Sequence, residues 1–143
     1  MNCPVDVIEG AAGFHGHLGP FLVIGVRMGL IGLKQLGAKQ NDDHVTVKAS
    51  LPLRVPFSCI IDGLQVTTKY TVGNQKLSLA NSEKIKVEFE NKDDGRRIVV
   101  ALNQAAFERL KSQLLRKSLQ DEEIRKLAWK VAALTETELF ATA

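Results

Sequence analysis

The stretch that decides the fold is Pro20–Leu36, which reads PFLVIGVRMGLIGLKQL. Pro20 suits the first turn of a helix, where its missing N–H is harmless, and Gly37 is a favourable residue for ending one. Apolar residues surround almost the whole circumference in between, so we predict a buried helix. The apolar run Leu18–Leu33 is too short for a comfortable membrane span and contains Arg27. We therefore expect no membrane segment here.

Three glycines lie on neighbouring turns of this predicted helix. Gly25, Gly29 and Gly32 lower helix propensity, but they allow another backbone to approach closely. A single domain offers few ways to cover every face of such a helix. We therefore expect it to pack against the sheet or against a partner subunit, and we predict a homodimer.

Composition indicates an ordinary globular protein. The chain has 143 residues, of which 45% are hydrophobic and 24% charged, so we predict one domain over 1–143. Its net charge of +3 is spread along the chain, which does not favour nucleic-acid binding. Two cysteines without a C-x-x-C pair fit a reducing compartment. The first residues lack the pattern of a secretory signal, so a cytoplasmic location without membrane attachment is expected.

Periodicity assigns the other elements. Before the central helix, the spacing predicts a short helix over Val5–Ala12 and a shaped loop over 13–20, and a third helix is expected to begin at the cap Ser58. Alternation predicts four strands, over His44–Leu51, Lys76–Ala80, Ile85–Glu90 and Arg97–Leu102. Helical spacing predicts two final helices, over Ala106–Leu115 and Ile124–Val131, with a capping signature at Ser118. Hairpins at 92–95 and, more weakly, at 81–82 would make the strands a meander. The predicted fold is α+β, with an antiparallel sheet of about four strands packed with helices.

Donor side chains for a metal ion occur at two places. His15 and His17 lie in the glycine-rich loop, where both rings can converge, and Cys59 and Asp62 lie at the start of the third helix. Nitrogen and sulfur donors suit zinc or another late first-row ion such as nickel or iron, and three protein ligands leave a coordination position open. Asp62 could orient a histidine, act as a fourth ligand or serve as a general base, and we rank the orienting role first.

Each of these residues also has a simpler interpretation. A His-x-His pair in a loop is more often solvated or structurally hydrogen-bonded than metal-bound, and a lone buried cysteine usually behaves as a small hydrophobe. For Cys59, the first-turn N–H groups are expected to favour the thiolate. Asp62 could merely complement the helix dipole. His44 has no identifiable partner, and Cys3, beside a terminus, is most simply a bystander.

Three motifs resemble a known family. They are FHGHLGPF over 14–21, GVRMG over 25–29 and PFSCIIDGLQ over 56–65, and together they resemble the FmdE family, which takes its name from formylmethanofuran dehydrogenase. The resemblance implies an α+β core, a homodimer and a metal-binding cleft. Carried over by position, the ligands are His15, His17 and Cys59. The same motif places Ser58, Asp62 and Gln65 around these ligands or against a bound ligand.

The chain also departs from the family pattern. Many members have a cysteine in place of Gly19, and a second cysteine-bearing segment corresponds to Thr68–Lys76 here. Cys59 is therefore the only thiol expected in the core. Longer members add a C-terminal zinc finger rich in C-x-x-C pairs, so the resemblance is to the core domain.

The family name refers to an association with a molybdenum- or tungsten-dependent enzyme that reduces carbon dioxide onto methanofuran in methanogenesis. A chain with so few cysteines has no framework for pterin or iron–sulfur chemistry of its own. The resemblance implies a metal-binding accessory protein with such an enzyme as partner and a small anionic or thiol-bearing ligand. The alternative is a metal-dependent hydrolase or lyase, in which Asp62 is the base and Cys59 a ligand or nucleophile.

Overall fold

The computed structural model describes residues 4–115 and 119–143. Its elements, in chain order, are α1 (Val5–His15), α2 (Pro20–Leu36), β1 (Val45–Leu51), α3 (Cys59–Thr68), β2 (Leu77–Asn81), β3 (Lys86–Asn91), β4 (Arg97–Leu102), α4 (Gln104–Leu115), α5 (Asp121–Ala133), α6 (Glu136–Leu139) and β5 (Phe140–Thr142). The predicted α+β class is confirmed. The central helix has the predicted bounds and ends at Gly37, whose φ of 67° is left-handed.

The sheet is mixed and has five strands, in the order β2-β1-β3-β4-β5. β2 pairs with β1 in parallel, and the other neighbours are antiparallel. The predicted meander is wrong at its weaker hairpin, 81–82: β2 and β3 are not neighbours, because β1 lies between them and pairs with β2 in parallel. β1 and β2 can be parallel because the chain between them crosses over through α3, as a helical connection allows. The hairpin at 92–95 is confirmed, with Gly95 at a φ of 76°. The three-residue strand β5 was not predicted, because so short a segment shows no alternation.

The glycine-rich loop is shorter than predicted. α1 continues through His15, and only residues 16–19 connect it to α2. Gly13 lies inside α1, and a Cβ added there would meet nothing within 4 Å. The turn itself is made by Gly16, whose φ of 107° is left-handed and whose N–H bonds to the carbonyl of Ala12 at 2.8 Å.

α2 crosses α3 with the two backbones in contact. A Cβ on Gly25 would lie 2.2 Å from the carbonyl oxygen of Ile60, and a Cβ on Gly63 would lie 2.4 Å from that of Leu22. Each helix therefore needs a glycine at the crossing, because real Cβ atoms do not approach backbone oxygens so closely. The close crossing explains why both helices contain a glycine although glycine lowers helix propensity.

The remaining faces of α2 are also covered within the chain. A Cβ on Gly32 would meet the Phe89 ring of β3 at 2.2 Å, and α1, α5 and β4 pack on other faces of the helix. Thirteen of its seventeen residues are buried, including Arg27. The apolar circumference of α2 is thus satisfied without a partner subunit. The homodimer stays a prediction, but this helix no longer argues for it.

Arg27 fastens α5 to α2. Its guanidinium donates to the carbonyls of Val131 at 2.8 Å and Ala132 at 3.4 Å, and also to Leu134. These carbonyls stand at the end of α5, where the last turn of a helix lacks intrahelical partners and carries partial negative charge. The cation therefore satisfies several of them at once and also compensates their partial negative charge.

Two sequence expectations fall on residues outside the described ranges, namely Cys3 as a bystander and Ser118 as a cap. Within those ranges, α5 begins with a capping box made by Gln120 and Glu123. Of the helices in the described ranges, none has both the length and the apolar character that crossing a membrane requires.

The crossing makes a direct stability prediction. We expect Gly25→Ala to lower the free energy of unfolding by about 1–3 kcal/mol or more, because the added methyl must push α3 away from α2. The matched control is Gly10→Ala in α1, where an added Cβ meets nothing within 4 Å. Alanine's better helix propensity should there raise stability by up to about 1 kcal/mol. Urea unfolding of both variants checks this, and equal effects would contradict the close crossing.

Candidate metal centre

The two histidines come from one tight turn. His15 is the last residue of α1, and the left-handed Gly16 reverses the chain before His17. The two imidazole rings consequently lie 4.9 Å apart between centroids, at an interplanar angle of 61°. The turn thus brings the predicted pair together on one side of the chain. His15 is half-buried and His17 is exposed.

The thiol of Cys59 approaches the histidines from α3. One donor atom from each of His15, His17 and Cys59 lies within 4.8 Å of the others. A tetrahedral zinc ion with bonds of about 2.0–2.3 Å holds its ligand atoms roughly 3.3–3.8 Å apart, so small side-chain movements would close the cluster onto an ion. The three residues that the sequence proposes as ligands therefore form one cluster, and its donor chemistry of two imidazoles and one thiol fits a late first-row ion.

Asp62 holds His15 in position. Its Oδ2 lies 2.6 Å from the Nδ1 of His15, and the two side chains are 32% and 14% exposed. Because a carboxylate accepts hydrogen bonds, Nδ1 is the donor of this pair, and in a neutral imidazole Nε2 then keeps a free lone pair. Histidine ligands are commonly oriented in this way by a carboxylate on the other nitrogen. This hydrogen bond is the contact expected if Asp62 orients a histidine, the role that we rank first from the sequence.

Gln65 continues this chain of contacts, while Ser58 does not take part in it. The amide of Gln65 donates to Oδ1 of Asp62 at 3.4 Å, and its oxygen accepts from the backbone N–H of Val72 at 3.0 Å. The predicted capping by Ser58 is wrong. Its hydroxyl makes no cap hydrogen bond, since Ser58 is itself in helical conformation and the preceding turn already supplies acceptors for the first N–H groups of α3. A role for Ser58 beside a ligand stays a prediction.

The expected activation of Cys59 by the helix start is wrong for the metal-free protein. Burial raises the pKa of the Cys59 thiol, and the negative charge of Asp62 raises it further. The residue's own backbone N–H lowers the pKa, but by less. Desolvation disfavours the charged thiolate. The thiol form is therefore favoured until a cation is available to compensate.

A cavity of about 280 Å³ opens beside the cluster. His17 and Cys59 form part of its wall, and most of the remainder is apolar. Three wall residues, Val55, Leu114 and Ile124, are not recognisable as site residues from the sequence. They come from a loop and from α4 and α5, and only their joint position in the fold marks them as site residues. Their apolar character alone predicts core.

Fold and cluster together define an α+β protein with a candidate metal centre of two imidazoles and one thiol. The chain matches the family described as "FmdE, Molybdenum formylmethanofuran dehydrogenase operon" over residues 14–141. It belongs to the FmdE family, which confirms the resemblance of the three motifs. The match also includes the second half of the chain, which the three motifs do not reach.

Two similar proteins set the context of the family. One is a "Probable S-adenosyl-L-methionine-binding protein" of Archaeoglobus fulgidus, 26% identical over 141 residues, in a match that covers 87% of this chain and 38% of that protein. This chain thus spans about two fifths of the length of that relative. The other is the crystal structure of a tungsten formylmethanofuran dehydrogenase FmdE-like protein from Syntrophus aciditrophicus. The TM-score is 0.62 at 20% identity, and the match covers 96% of this chain and 69% of that one. This likeness supports the fold.

The raised pKa of Cys59 predicts its reactivity. In metal-free protein we expect iodoacetamide to alkylate Cys59 with a pH midpoint above that of free cysteine, because only the thiolate reacts. Asp62→Asn should lower the midpoint, since it removes the nearby negative charge. Peptide mapping separates Cys59 from Cys3. A wild-type midpoint at or below that of free cysteine would show that the helix start outweighs burial.

Proposed function

We propose that this chain is a metal-binding accessory protein in which His15, His17 and Cys59 hold one divalent ion. The observation that carries the proposal is the convergence of three donors from two distant segments within 4.8 Å. Zinc is the favoured ion, because mixed imidazole and thiolate ligands are typical of it, whereas nickel or iron would use the same donors. When bound, such an ion offers Lewis acidity at its open coordination position.

The residues of the chain prepare this site in different ways. Asp62 keeps the proton of His15 on Nδ1 and so presents Nε2 as a ligand. Cys59 must lose its proton to bind, which makes metal affinity rise with pH. A free thiol ligand also suits a reducing compartment, so we place the protein in the cytoplasm.

The geometry of Asp62 favours an accessory protein over the alternative hydrolase or lyase. Both carboxylate oxygens have partners, since Oδ2 bonds to His15 and Oδ1 accepts from Gln65. A general base needs an oxygen that reaches the substrate or its water. Asp62 is better arranged to position His15 than to accept a proton from a substrate.

A molybdenum or tungsten enzyme is the partner class that we infer. The family is described by a molybdenum formylmethanofuran dehydrogenase operon, and the structural relative is called a tungsten formylmethanofuran dehydrogenase FmdE-like protein. Both descriptions support a link to one-carbon metabolism of the methanogenesis type. The proposed assembly is a homodimer that serves such an enzyme.

Metal analysis tests the centre directly. We expect purified, untagged protein to contain up to one zinc ion per chain, and Cys59→Ser to lose most of it, because the variant removes the only anionic donor of the cluster. Cys3→Ser is the matched control and should keep the wild-type content. Elemental analysis gives the measurement. Equal, near-zero metal in all three proteins would remove the proposal, whereas nickel or iron would only change the ion.

Asp62→Asn separates the accessory protein from the enzyme. We expect this variant to bind zinc about 10- to 100-fold more weakly, because His15 loses its orienting partner. Glu9→Gln, which removes the same charge from an exposed position on α1, should leave the affinity unchanged. At saturating zinc we expect no hydrolysis of p-nitrophenyl acetate or p-nitrophenyl phosphate above free zinc. Zinc-dependent turnover in wild type that disappears in zinc-loaded Asp62→Asn would favour the enzyme.

A further inference from the structure

Metal-donor side chains and apolar side chains line different parts of the cavity beside the cluster. His17 and Cys59 supply one wall, and the other walls include Pro20, Leu22 and Ile124. Among the described residues, no Lys, Arg, Asp or Glu side chain lines it. A ligand that enters this space therefore meets donor atoms on one side and hydrocarbon on the others.

The rim of the cavity is apolar and open to solvent. Val55 is 77% exposed and Leu115 is 62% exposed, and both line the cavity mouth. Large apolar side chains at the rim of a cleft are typical of ligand sites, where they are covered on binding. They come from the loop before α3 and from the end of α4, so the two sides of the mouth belong to different segments.

A cluster of three aromatic rings supports the floor of the cavity. Phe21 lines it and meets the ring of Phe57 at 5.2 Å and that of Phe107 at 6.0 Å between centroids, while Phe57 and Phe107 are 5.4 Å apart. All three contacts are edge-to-face, the arrangement that aromatic quadrupoles favour. The cavity is consequently a preformed space between α2, α4 and the segment before α3.

Charge decides what kind of head group the site favours. With a divalent ion on two neutral imidazoles and one thiolate, the cluster would carry a net charge of about +1, and the Asp62 carboxylate bonded to His15 offsets part of it. Among the described residues, no Lys or Arg lines the cavity to balance the charges of a polyanionic ligand. One anionic donor suits the open coordination position of such an ion, whereas a second charge on the ligand would be buried among hydrocarbon at high cost.

We propose that this cavity binds the apolar body of a small monoanionic ligand whose thiolate or carboxylate head reaches the metal cluster. The inference rests on the proposed metal-binding function and adds the ligand class to it. A volume of about 280 Å³ is roughly twice that of an engineered apolar cavity of about 150 Å³ that takes up benzene. The ligand body is therefore a single ring or a short branched chain, and polyanions such as nucleotides are excluded.

Two thiols with the same head and different bodies test this assignment. Zinc-loaded protein is titrated by anaerobic calorimetry with phenylmethanethiol and with 2-mercaptoethanol, and zinc content is measured on the same samples. We expect phenylmethanethiol to bind at least about tenfold more tightly, a gain that burial of roughly 55 Å² of extra apolar surface accounts for.

Rim variants link the preference to the cavity. Leu115→Asn and, on the opposite side, Val55→Asn should each weaken phenylmethanethiol at least about threefold and leave 2-mercaptoethanol and zinc content unchanged. Leu79→Asn, at an exposed leucine of β2 that does not line the cavity, is the matched control and should change neither. Bound zinc with equal affinities for both thiols would overturn the ligand assignment and leave the metal centre intact. A wild-type protein that retains no divalent metal ion would overturn both.

Discussion

The structure depends on the contact of two helix backbones at Gly25 and Gly63. A Cβ on either residue would overlap a backbone carbonyl of the other helix. Because α3 is pressed so closely onto α2, its first turn lies beside the loop that precedes α2. This is how Cys59 and Asp62 come to face His15 and His17, although the two pairs lie far apart in the chain. A wider helix crossing would move one donor of the cluster away from the other two.

A second fastening secures the opposite side of α2. The buried guanidinium of Arg27 donates to carbonyls at the end of α5, and a buried cation is tolerated there because it is hydrogen-bonded at a negative helix terminus. α5 carries Ile124, which forms part of the cavity wall. The same helix therefore positions the metal donors through its glycines and the apolar wall through its arginine. Cluster and cavity are two consequences of how one helix is packed.

Local patterns predicted most elements, and nonlocal pairing explains what they missed. The bounds of α2 follow from Pro20 and Gly37, which act on neighbouring residues only. The strand order could not follow from alternation, since β1 shows one pattern whichever strand pairs with it. Similarly, the family resemblance and the donor types were enough to predict the three cluster residues. The lowered pKa expected for Cys59, however, was inferred only from its place at the start of the helix. Burial, a tertiary effect, and the charge of Asp62 one turn further along α3 reverse that shift.

The position of Gly19 shows how a polar cluster and an apolar cavity share one site. Its φ of −143° is extended backbone that any residue adopts, so conformation does not require glycine here. Space does not require it either: a Cβ would lie 3.4 Å from Cε1 of His17 and 3.5 Å from Cγ2 of Ile124, which are ordinary contacts, in the gap between the donor ring and the apolar wall. A side chain at this position would occupy that gap. With glycine, the gap stays open and the cavity reaches the imidazole. The absence of a side chain at Gly19 thus joins the apolar cavity to the donor atoms of the cluster.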